Sequence, residues 1–104
     1  MKLDFSQVVT ISKADGLSTN DALVKLFEES GELASAHLCK HNVANKSRSS
    51  EPNTAEEAVD VLMCAMDYLI KDGVTEEELN AMLQRKIAKW ERKMFGPPIN
   101  HVIM

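Results

Sequence analysis

The sequence predicts an all-α fold, on three observations. Apolar residues recur at the helical period in long segments, those segments open on capping residues and close on glycine, and no segment alternates like a strand. Three main helices and a shorter one at the N-terminus are expected across a single domain of residues 1–104. The bundle core is expected to be completed when copies of the chain associate, because a domain this small leaves much apolar surface uncovered.

The N-terminal helix is expected over Met1–Ala14, with Leu3, Val8 and Ile11 on one stripe and Phe5 and Val9 fitting it less cleanly. Asp15-Gly16 ends it. The second helix opens at Ser18, with Asp21 three residues on as a cap signal, and runs to about Asn42. Its apolar face centres on Leu23, Phe27, Ser30, Leu33 and Ala34. The polar stretch Asn42–Asn53 is expected to be a mobile loop. The third helix opens on a capping box, from Asn53 with Glu56 or Thr54 with Glu57, and stops at Asp72-Gly73. The fourth opens on Thr75 and Glu78 and runs to about Phe95, before Gly96-Pro97-Pro98. The short apolar tail INHVIM is expected to dock on the body or on a partner.

Charge and cysteine content narrow the functional classes. A net charge of -4 argues against a protein that grips nucleic acid by its backbone. The longest apolar stretch is broken by Asp60 and Asp67, so no membrane span is expected. The N-terminus lacks a basic segment followed by an apolar one, and the two cysteines, Cys39 and Cys64, read as free thiols. A cytoplasmic location is the expectation.

Two acidic motifs carry the chemistry. Glu28-Glu29-Ser30-Gly31-Glu32 is an EExxE pattern and Glu57-Ala58-Val59-Asp60 an ExxD pattern. Each holds a carboxylate pair at i, i+3, neighbours on one helix face. Antiparallel pairing of the two helices brings Glu29, Glu32, Glu57 and Asp60 towards one point, where divalent cations offset their repulsion. Magnesium suits carboxylate sites shared with phosphates. Glutamate is also an ordinary resident of solvated helix faces and first turns, so either motif alone says little.

At about 100° per residue, Glu57, Asp60, Cys64, Asp67, Tyr68 and Lys71 fall in one polar stripe of an otherwise apolar helix, so that stripe belongs in a groove or interface. Glu29 and Glu32 point away from the apolar face of their own helix. Another helix must cover them, from this chain or a second copy, and Ala22, Gly31, Ala36 and Cys39 on that side permit close approach. On the fourth helix Lys86 sits inside the apolar face, flanked by Lys89 and Lys93, as an inward cation for an acid or a phosphate or as a snorkelling side chain. His37 and His41 stand four apart, a spacing that can ligate zinc, but no third ligand is near in sequence.

The order EExxE, a gap of 24 residues, then ExxD resembles the signature of the all-α nucleoside triphosphate pyrophosphatase superfamily, and of its MazG-like family in particular. The resemblance covers about residues 20–93. It implies hydrolysis of a (d)NTP to the monophosphate and pyrophosphate, in nucleotide-pool housecleaning. It implies magnesium, with manganese as a substitute, on Glu29, Glu32, Glu57 and Asp60. Glu28 would support the metal ligands from behind or help orient the attacking water, with Glu29 beside it in the catalytic pair. Lys86 and Lys89 would grip phosphates, and Asp67 would support Lys86 or contact the nucleoside. Homodimers or homotetramers are implied. The chain departs from many relatives in carrying Trp90 just after the second lysine. Phosphoribosyl-ATP pyrophosphohydrolase, of the same superfamily, is an alternative. A non-catalytic helical interaction module using the same acids is another.

Overall fold

The computed structural model of the chain describes residues 4–41 and 53–97. They form four helices: α1 (Phe5–Ala14), α2 (Thr19–His41), α3 (Thr54–Lys71) and α4 (Glu76–Phe95). The fold is all-α, and no strand occurs among the described residues. The expected loop after α2, apart from Asn53, and the INHVIM tail lie outside them, as does the His41 side chain.

The helix limits follow the capping chemistry. Asp4 caps α1 by accepting from the Gln7 amide, and Asn53 caps α3 by accepting from the Glu56 amide. Of the two boxes open to the start of α3, the one at Asn53 supplies the cap. Thr75 and Glu78 close a reciprocal box at α4, with bonds of 2.9 and 3.1 Å. The chain leaves α3 through Gly73 at φ 91°, left-handed backbone that glycine adopts without a side-chain clash.

The chain divides into two compact units, residues 1–73 and 74–104. In the first, α2 and α3 pack along their length and α1 packs on α3. The Thr19 hydroxyl at the start of α2 donates to the Lys71 carbonyl at the end of α3, so these helices run antiparallel. The second unit carries α4, whose Leu83, Ile87, Trp90, Met94 and Phe95 are exposed.

The packing face of α2 differs from the expected one. Ala22 and Ala36 are buried, and Glu29 stands midway between them on the same line. Leu23, Phe27 and Leu38 are exposed instead, Phe27 at 79%. Small side chains let α3 approach closely on the Ala22–Glu29–Ala36 line, whereas hydrophobicity alone points to a face about a third of the way round the helix. On α1, Phe5 and Ser12 are buried, while Ile11, expected on the apolar stripe, is exposed. The close approach leaves no room at Ala36, which is 0% exposed. Ala36→Leu is therefore expected to destabilise the protein by about 1–3 kcal/mol, read as a lower urea midpoint with an unchanged slope.

Candidate metal centre between α2 and α3

Antiparallel pairing sets the height at which the acids meet. Glu29 and Asp60 each lie about ten residues from the Thr19–Lys71 contact along their own helices, roughly 15 Å. They therefore face each other, and Glu57 is one turn from Asp60. One carboxylate oxygen from each of Glu29, Glu57 and Asp60 can be chosen so that all three lie within 4.8 Å of one another. The Glu29 side chain is only 12% exposed, Glu57 is half-buried and Asp60 is exposed.

Glu32, the fourth expected ligand, is exposed beside Glu29 and close enough to share a hydrogen bond with it, but stands outside the triad. The cover that Glu29 required comes from α3 of the same chain. Burial, then the neighbouring Glu32 and Asp60 charges, push the Glu29 carboxyl above its ordinary value of 4.5, against the pull of Lys25. Lys25 reaches Glu29 at 4.0 Å from one turn earlier on α2.

An all-oxygen donor set fits a hard divalent cation such as magnesium or manganese and disfavours thiophilic metals. Ligand oxygens around magnesium at about 2.1 Å stand roughly 3–4 Å apart, so small side-chain adjustments bring the triad to coordination distance. Without a cation the same arrangement works against folding. The raised Glu29 carboxyl means the folded chain holds that proton more tightly than the unfolded chain does. The penalty is absent below the ordinary value of 4.5 and grows as pH rises through the raised one. Metal-free Glu29→Gln is expected to melt above the native protein at pH 7, with the difference vanishing below about pH 4 and the stabilisation by added magnesium lost.

A groove of about 570 Å³ is walled by α1, α2 and α3; the triad itself does not line it, but residues one turn away do. Lys25 and Cys64 line it, each one helical turn from a member of the triad, and Glu28 lines it too. Val8, Ile11 and Met63 make part of it apolar. Burial, followed by the Glu29 charge, pushes the Cys64 thiol up, so it stays protonated at neutral pH.

Asp67 also lines the groove. Its cation is Lys71, at 2.7 Å, and it accepts from the Ser12 hydroxyl. Lys86 and Lys89 are exposed on α4, in the second unit. Lys25 was missed from the sequence, although the Lys25–Glu29 spacing places its charge on the acid face. No family model, characterised protein or solved structure matches the chain.

Proposed function

We propose that the protein is a magnesium-dependent nucleoside triphosphate pyrophosphohydrolase. The observation that carries this reading is the Glu29–Glu57–Asp60 triad, drawn from two helices and joining the EExxE and ExxD motifs in one site. Glu32, beside Glu29, is the further ligand for an ion held with substrate or for a second ion. The resemblance of the paired motifs to the MazG-like family supplies the reaction.

Bound magnesium would lower the pKa of water and offset charge on the triphosphate. Glu28 and Glu29 orient the attacking water, and Glu28 takes its proton. The oxygen attacks the α-phosphorus, the bond from that phosphorus to the bridging oxygen breaks, and pyrophosphate leaves. The resemblance alone gives Lys86 and Lys89 the role of binding phosphates and Asp67 that of contacting the nucleoside. The apolar lining of the groove suits a base and sugar lying beside the metal site.

The reading includes a homo-oligomer, supported by the exposed apolar face of α2. It also places the protein in the cytoplasm. Free Cys39 and Cys64 suit a reducing compartment, and no described helix is long and apolar enough to cross a membrane.

The test is a panel of each dNTP and NTP, and phosphoribosyl-ATP, with magnesium, followed by pyrophosphate release. Turnover of a triphosphate that stops on adding a chelator supports the reading. Turnover confined to phosphoribosyl-ATP transfers it to that substrate. A folded protein inert across the panel removes it in favour of a non-catalytic module.

A further inference from the structure

Helix α1 carries Val8, Ile11 and Ser12 to the groove, yet it buries only Phe5 and Ser12. So little apolar burial is a weak anchor for a wall of ten residues. The attachment is concentrated in one polar cluster at its C-terminal end. The Lys71 ammonium, on the last turn of α3, bonds the Ser12 carbonyl at 2.9 Å, the Ser12 hydroxyl at 3.2 Å, Asp15 at 2.9 Å and Asp67 at 2.7 Å. The Lys71 side chain is 8% exposed, so the cation end of these bonds is shielded from water although Asp15 is partly open to it.

The cluster is fully committed. Asp15 is also held by the Leu17 amide, at 2.9 Å, which fixes the turn from α1 into α2. That amide, and then Lys71, hold the Asp15 carboxyl below its usual range. Burial would push Lys71 down, but Asp67 and Asp15 outweigh it and hold it up. The cation is therefore charged at neutral pH.

We propose that Lys71 is a positioning residue, a latch that holds α1 as a wall of the groove beside the Glu29–Glu57–Asp60 triad and so sets how tightly the groove grips what enters it. Lys71 touches neither the triad nor the proposed reacting atoms. It also bonds Asp67 in the groove wall, so the effect carried by α1 is the part that Asp15→Asn isolates, with Lys71–Asp67 kept. The latch stands on the groove geometry; only its kinetic consequence rests on the pyrophosphohydrolase reading.

Two variants test it. Asp15→Asn loosens the link from Lys71 to α1 while keeping Lys71–Asp67 and an oxygen for the Leu17 amide. Lys71→Met removes the whole latch, and Lys71→Arg keeps its charge as a rescue. Three readouts follow on the full chain in a Cys39→Ser background. Amide exchange over Phe5–Ala14 is expected to rise about tenfold or more in Asp15→Asn and further in Lys71→Met, with α2 and α3 less affected. Alkylation of Cys64 by iodoacetamide, which reports opening of the groove, is expected to accelerate in the same order. With a triphosphate that the native protein turns over, KM is expected to rise about tenfold with a smaller change in kcat. Lys71→Arg should recover part of each effect.

If Lys71→Met does not fold, Asp15→Asn decides, since Asp15 is at the surface. Unchanged α1 exchange and unchanged Cys64 labelling in folded Asp15→Asn overturn the latch. Faster exchange and labelling with an unchanged KM overturn its role in gripping substrate. If the native protein turns over no triphosphate, the pyrophosphohydrolase reading fails separately, and exchange with Cys64 labelling decides the latch.

Discussion

Asp60→Asn is expected to lower pyrophosphate release by roughly 10²–10³-fold with the fold intact. The substitution keeps size and hydrogen-bonding capacity but removes one of three charges that face each other across α2 and α3. On the proposed reading, Asp60 as a metal ligand would support both the water that attacks and the charge on the phosphates. Its loss is worth about 3–4 kcal/mol of barrier, which is the stated range of rate. Asp60 is exposed, so melting of the metal-free variant should stay close to that of the native chain. Magnesium is expected to raise the native melting temperature in proportion to the logarithm of its concentration and to shift Asp60→Asn much less. These readouts separate the candidate functions. An interaction module that uses the acids to hold a cation loses the magnesium shift but has no turnover to lose. An enzyme loses both together. Wild-type turnover in Asp60→Asn removes the triad from the chemistry.

The helices were legible because their signals are local. Asn53 with Glu56, Thr75 with Glu78, and Asp72-Gly73 each act within one turn, and the chain starts α3, starts α4 and stops α3 at those positions. The meeting of Glu29, Glu57 and Asp60 was legible for a related reason. The i, i+3 spacing sets one face, and antiparallel pairing does the rest. That a helix covers the Glu29 side of α2, approaching over Ala22 and Ala36, was legible from the acids and the small residues there; that this face packs in preference to the Leu23–Phe27 face was not. Leu23 and Phe27 outweigh Ala22 and Ala36 on any scale of hydrophobicity, but close helix approach depends on small side chains, and which face is covered depends on which neighbour arrives. The attachment of α1 was hidden because Asp15 and Lys71 lie far apart in sequence, and nothing near either names the other. Lys71 appeared only as the end of the acidic stripe on α3. Its commitment to Asp15 and Ser12 is a property of the folded chain.

In the proposed homo-oligomer, Phe27→Asp is expected to leave only monomer. Phe27 is 79% exposed, and Leu23 and Leu38 on the same helix are about half exposed. Further along α2 a shallow depression of about 550 Å³ is lined by Ser30, Leu33, Ala34, His37 and Leu38. An apolar stripe and a depression on one helix suit a two-fold contact, in which each copy offers both. A phenylalanine presents about 150–250 Å² of surface, and burial contributes about 25 cal/mol per Å². Loss of Phe27 from both copies of a symmetric contact therefore removes several kcal/mol, and the buried aspartates add a penalty of their own. The dissociation constant is expected to rise by at least about 10³-fold, read by sedimentation equilibrium across micromolar protein. Because Phe27 already stands in water in the single chain, the folded protomer should survive, with little change in helical content. Glu29 is covered by α3 within one chain, so magnesium should still stabilise the Phe27→Asp protomer. Loss of magnesium stabilisation on dissociation would instead mean that the partner copy completes the site. Native protein that is monomeric throughout the concentration range would remove self-association as the use of this face.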